Sequence, residues 1–102
     1  MVVYEVNLTV DDDIVGEFMQ WLSLHMSDML GFRGFQKALL MNVDEDNAHC
    51  LTVWYFVESM SDLQAYFRNG AERMRADGLS RFGGKFEAKR RILTLVEEQT
   101  QY

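Results

Sequence analysis

An α+β fold with the element order β-α-β-β-α-β is predicted by three features of the 102-residue sequence. Four stretches alternate side to side at the period of a strand, two stretches repeat apolar residues at the period of a helix, and glycine or acidic clusters separate them. Right-handed crossovers through the two helices then give a four-stranded antiparallel sheet with both helices on one face, the ferredoxin-like plait.

The first strand is Val2 to Val10, with Val2, Tyr4, Val6, Leu8 and Val10 on one side and Val3, Glu5, Asn7 and Thr9 on the other. Asp11, Asp12 and Asp13 follow, and their charge suits the positive end of a helix that begins with Ile14. Around that helix Ile14, Val15, Phe18, Trp21, Leu22, His25, Met26 and Met29 share one apolar arc. Gly31 to Gly34 breaks the helix, and alternation returns from Phe35 to Val43, with Phe35, Leu39, Met41 and Val43 against Ala38, Leu40 and Asn42. A turn at Asp44 to Asn47 predicts an antiparallel hairpin to the third strand. That strand, His49 to Glu58, is apolar on both faces: Leu51, Val53, Tyr55 and Val57 on one, Cys50, Trp54 and Phe56 on the other. Ser59 with Asp62 forms a short capping box for the second helix. Leu63, Tyr66, Phe67, Gly70, Ala71 and Met74 line one arc of it, with Asn69-Gly70 as a point where it divides. A helical turn at Leu79 to Phe82, the turn Gly83-Gly84 and a last strand from about Phe86 to Val96 complete the order. Residues 1–96 therefore read as one domain, and 97–102 as a loose tail.

Composition narrows the function classes. Apolar residues make up 48% and aromatics 13%, which excludes a disordered chain. The longest apolar run, Ala48 to Val57, is interrupted by His49 and Thr52 and is far short of the ~18 residues of a membrane span, so no membrane association is expected. The amino-terminal segment lacks the features of an export signal, and Cys50 is the single cysteine, so a reducing, cytoplasmic setting is expected. Residues 1–62 carry a formal charge of −9 and residues 63–102 carry +3, for a net −6. An acidic chain repels polyanions, and no nucleic-acid partner is expected.

The third strand carries a further consequence. In this topology it is central, and the helices cover only one of its two apolar faces. Leaving four or five large side chains in water forfeits on the order of 10 kcal/mol, comparable with the whole stability of such a domain. A homodimer packed sheet face to sheet face is therefore expected.

The order of elements from Val2 to Val96 resembles the dimeric α/β-barrel superfamily. Two stretches, Val2-Val-Tyr-Glu-Val-Asn-Leu8 and Arg73-Met-Arg-Ala-Asp-Gly-Leu-Ser-Arg-Phe-Gly-Gly-Lys-Phe86 followed by Arg90-Arg91-Ile92, resemble the family known as domain of unknown function 4286. That resemblance implies the fold and the pairing of subunits, and no established reaction. The superfamily includes antibiotic-biosynthesis monooxygenases, haem-degrading enzymes and isomerases. Haem degraders of this type place an iron-binding His after the second helix; Asn69 to Phe82 contains no His, so haem is not expected and no cofactor is assigned.

Several residues could carry chemistry. His25, on the apolar arc, is the candidate general base, its ordinary pKa near ~6.5 being suited to proton transfer. Asn7, Trp21, His25, Trp54 and Tyr66 are the candidate lining of a ligand pocket between helices and sheet. Arg75, Arg81, Gly83 and Gly84 are candidate anion binders, the glycines offering backbone N–H groups beside basic side chains. No metal is expected: His25 and His49 have no ligand spacing, and the side chains of His49 and Cys50 point to opposite faces of a strand. The leading expectation is a homodimeric α/β-barrel protein that binds a small organic ligand. The alternatives are a cofactor-independent monooxygenase or isomerase acting on a small aromatic or polyketide-like compound, and a non-catalytic structural or regulatory partner. An internal cavity of ~300 Å³ or more separates the first two from the third.

Overall fold

The computed structural model describes residues 1–44 and 49–101. Strands β1 (Val2–Val10), β2 (Phe35–Val43), β3 (His49–Val57) and β4 (Phe86–Thr94) form one antiparallel sheet in the order β2-β3-β1-β4. Helices α1 (Val15–Met29), α2 (Met60–Asn69) and α3 (Ala71–Phe82) accompany it. This is the ferredoxin-like fold, with β1 and β3 central as the element order requires. The expected turn at Asp44 to Asn47 lies, after Asp44, outside the described residues.

Register assigns every side chain to a face. Tyr4 pairs with Tyr55 and Ile92, and Val6 with Val53 and Arg90, so even positions of β1 and β4 and odd positions of β3 share one side. That side meets the helices and forms the core, in which Phe18, Val53, Val57 and Leu63 are fully enclosed. A bulge between Phe35 and Lys37 shifts the parity of β2. It carries Phe35 away from Leu39 and Met41, where simple alternation placed it, and into the core against Tyr55 and Tyr66.

The helices and the last strand depart from the sequence expectations at three points, the start of α1, the length of α3 and the end of β4. Asp12–Ile14 form a 3₁₀ turn, and α1 starts at Val15 with no side-chain cap. The aspartates are used elsewhere, Asp12 on His49 at 2.8 Å and Asp13 on Lys85. At α2 the Ser59 hydroxyl accepts from the Asp62 N–H at 3.2 Å, as the capping box requires. The chain divides at Gly70, where a Cβ would stand 2.3 Å from the Phe32 ring. From Ala71 the helix runs unbroken to Phe82 instead of reforming near Leu79. Gly78 sits inside it because the Trp21 indole lies over that position, 2.9 Å from where a Cβ would be. The last strand ends at Thr94, two residues earlier than expected, and residues 95–101 belong to no helix or strand.

Candidate functional site

Between the helices and the sheet lies a space of about 40 Å³. Its floor is Tyr4, Val6, Val53 and Tyr55 of the central strands, and its walls come from Trp21 and His25 of α1, Tyr66 of α2, and Met74, Arg75 and Gly78 of α3. Phe86 and Arg90 of β4 close the edge. The volume is well below the ~300 Å³ that an organic ligand needs, and it accommodates one or two waters. In the single subunit the interior is thus nearly packed.

Trp21 and His25 also border a surface groove of about 550 Å³ between α1 and α3, together with Asp77 and Arg81. These two side chains are therefore the partition between groove and interior. The rings stack with centroids 4.6 Å apart. The indole N–H donates to Asp77 at 2.8 Å, and this bond, ahead of that from Arg81, holds the Asp77 carboxyl below its usual range. Burial pushes the His25 pKa down, against the pull of Asp77 and Asp28, so the ring is neutral at pH 7. Burial likewise raises the Tyr55 phenol, and pushes Tyr66 up to about 12 with Tyr4 adding to the shift. The wall thus offers a neutral imidazole, neutral phenols and the Arg75 guanidinium, which donates to the Tyr4 hydroxyl at 3.0 Å.

Of the five residues expected to line one pocket, the structure brings together Trp21, His25 and Tyr66 and excludes Asn7 and Trp54. Odd positions of β1 and even positions of β3 point away from the helices, so Asn7 and Trp54 occupy the opposite face. There they join a polar network around Glu5. The Glu5 carboxylate accepts from the Trp54 indole at 2.8 Å, from the Asn7 amide at 2.9 Å, and from the Arg91 guanidinium. Thr52 donates to Asn7 at 2.8 Å. Glu5 is 3% exposed, and the Arg91 bond above all keeps its pKa below the usual carboxylate range, with burial opposing. Around the network stand Leu39, Met41, Phe56 and Leu93, with no helix over them.

The expected anion site is also divided. Arg75 faces the cavity, whereas Arg81 bonds Asp77 at 3.4 Å on the groove side. Gly83, with a positive φ of 58°, makes the turn into β4, and neither it nor Gly84 lines the cavity. Arg90, missing from the expected pocket, was legible by parity, since it alternates with Phe86 and Ala88 on the covered side of β4. Among the described residues no cluster of three or more His, Cys, Asp or Glu side chains forms. No helix is long and apolar enough to cross a membrane.

Comparison with known proteins agrees with this architecture. The family model for a domain of unknown function, DUF4286, matches residues 1–96, and the chain belongs to that family. No curated protein matches the sequence. Among solved structures, a candidate antibiotic biosynthesis monooxygenase from Deinococcus radiodurans superposes with a TM-score of 0.78 at 12% identity, covering 100% of this chain and 99% of the other. A variant of SnoaB, a cofactor-independent oxygenase from Streptomyces nogalater, gives 0.74 at 12% identity, with 98% of each chain covered. A second candidate antibiotic biosynthesis monooxygenase, from Nitrosomonas europaea, gives 0.72 at 13% identity over 95% of this chain and all of the other. At such identities the likeness establishes the ferredoxin-like fold, and not the chemistry.

Proposed function

We propose that the protein is a homodimer, paired through the open faces of its sheets, that binds a small organic ligand between its helices and its sheet. The observation that carries the ligand reading is convergence. His25, Tyr66, Arg75 and Arg90 reach one aromatic-walled space from four different elements, more polar function than a sealed core needs. The ligand enters when the Trp21–His25 pair swings into the groove, which joins the two spaces. For the dimer, the support is the open face itself: Leu39, Met41, Trp54, Phe56 and Leu93 lie where no helix covers them, and the buried carboxylate among them, Glu5, is paired with Arg91.

The two tryptophans report separately on the two faces. In 5-fluorotryptophan-labelled protein, with signals assigned through Trp54→Phe, small aromatic compounds such as indole and 2-naphthol should shift the ¹⁹F resonance of Trp21 and leave that of Trp54 in place. A response at Trp54 alone, or at neither, refutes the ligand reading.

A second reading, cofactor-independent oxygenation of a small aromatic compound, is favoured by one observation, the neutral His25 in the cavity wall. Oxygen uptake that is lost in His25→Gln while the fold is retained supports it, and uptake indifferent to that change retires His25 as a base.

A further inference from the structure

Arg75 and Arg90 approach the cavity from α3 and from the covered side of β4. Neither has a carboxylate partner among the described residues, whereas Arg33, Arg81, Lys85 and Arg91 each have one. The chain as a whole carries a net charge of −6, so acidic side chains are in excess. Lys37, Arg68, Arg73 and Lys89 are likewise without a carboxylate partner among the described residues; what sets Arg75 and Arg90 apart is that both line one aromatic cavity. Each guanidinium offers five N–H donors in a rigid planar fork that matches the two oxygens of a carboxylate. Arg75 commits a donor to the Tyr4 hydroxyl, which fixes its direction and leaves other donors of the fork free. Arg75 and Arg90, and after them Arg73, act on the Tyr66 phenol, each opposing the rise that burial causes there. The charges of Arg75 and Arg90 are thus felt at one point of the cavity wall. Arg81, by contrast, is committed to Asp77 on the groove side.

We propose that the cavity, once widened by displacement of the Trp21–His25 pair into the groove, takes an organic anion, a small aromatic carboxylate whose ring lies against Tyr4 and Tyr66 and whose carboxylate is held between Arg75 and Arg90. This rests on the ligand-binding reading of the same cavity and adds to it the charge of the ligand and the two residues that select for it. The neutral phenols and the neutral His25 bring no competing negative charge to that place.

The test uses a matched pair of probes, salicylate and its uncharged analogue salicylamide, on the full chain, with the Trp21 ¹⁹F resonance reporting occupancy and titration giving Kd. Salicylate should bind more tightly than salicylamide by about tenfold or more, the usual gain of a charge-assisted hydrogen bond over a neutral one. Arg90→Gln and Arg75→Gln should each remove most of that preference while leaving salicylamide affinity within about twofold, and Arg68→Gln, on α2, should change neither. Equal binding of the two probes at Trp21 overturns the charge assignment and leaves the ligand site standing. A salicylate preference that survives both arginine substitutions overturns the role given to these residues. Silence of Trp21 toward both probes removes the cavity reading and this inference together.

Discussion

Both faces of the sheet contain residues withdrawn from water, but by different means. On the covered face Val53, Val57 and Phe18 are enclosed by packing alone. On the open face Glu5 is nearly as enclosed, yet what shields it is a set of neighbouring side chains, Trp54, Asn7 and Arg91, each donating to its carboxylate. The contrast separates two ways of closing a surface. Apolar packing needs only volume, whereas a buried charge needs every lone pair answered. The first face holds a nearly filled interior; the second is an uncovered surface whose buried carboxylate, Glu5, is already compensated, a condition for pressing it against another copy of itself.

The largest effect should come from the covered face. Phe18→Ala, at a fully enclosed position, should lower unfolding free energy by about 3–5 kcal/mol, measured by chemical denaturation; a loss like that of an exposed site would contradict the packing described. Next is the open face, where Arg91→Leu leaves Glu5 with its burial but without its cation. Stability at pH 7 should fall, because Glu5 keeps its burial and loses its cation, and its pH dependence should change. In the parent protein the folded pKa of Glu5 lies below the unfolded value, so its stabilisation is present above about pH 4.5 and disappears as pH falls through the folded pKa. In Arg91→Leu the largest lowering influence is gone and only the bonds from Asn7 and Trp54 oppose burial, so the pKa rises relative to the parent and acid should cost less stability; an unchanged acid limb would show that the pair does not govern Glu5.

Two glycines sharpen the comparison within the covered face. Gly70→Ala drives a methyl into the Phe32 ring and should destabilise by about 1–3 kcal/mol. Gly78→Ala presses on the Trp21 indole, which has the groove to move into, and touches the Phe86 ring at an ordinary 3.4 Å, while alanine improves the helix by about 1 kcal/mol, so stability should change little while the Trp21 signal shifts. A large loss there would mean that the partition does not yield. The smallest effect concerns His25, whose folded pKa lies below the unfolded one. It costs the folded state stability as pH falls below about 6.5, where the unfolded chain takes up the proton first, so His25→Gln should flatten the stability profile below that pH.

Much of this was legible in the sequence. Alternation located β1, β2 and β3 almost to the residue, and the helical arc picked out Trp21 and His25. Other features depended on what only tertiary contact decides. The helical arc ends at Met74 and a separate turn begins at Leu79 by sequence, and the helix is continuous between them only because the Trp21 indole occupies the space over Gly78. The three aspartates after β1 look like caps until His49 and Lys85 are seen to claim two of them. The parity of β1 and β3 already set Asn7 and Trp54 apart from Tyr4 and Tyr55, but their common partner, Glu5, becomes visible only in the register. Arg90 and Arg91, adjacent in a basic run, have separate tasks because neighbouring strand residues face opposite ways.

The claim on which the account turns is that the open face is covered by a second copy of the same chain. Sedimentation equilibrium of the full chain at micromolar concentration tests it directly. The account predicts a species of about twice 11.9 kDa that dissociates in Phe56→Glu with the monomer still folded, and a parent protein that stays at 11.9 kDa across the same range would contradict it.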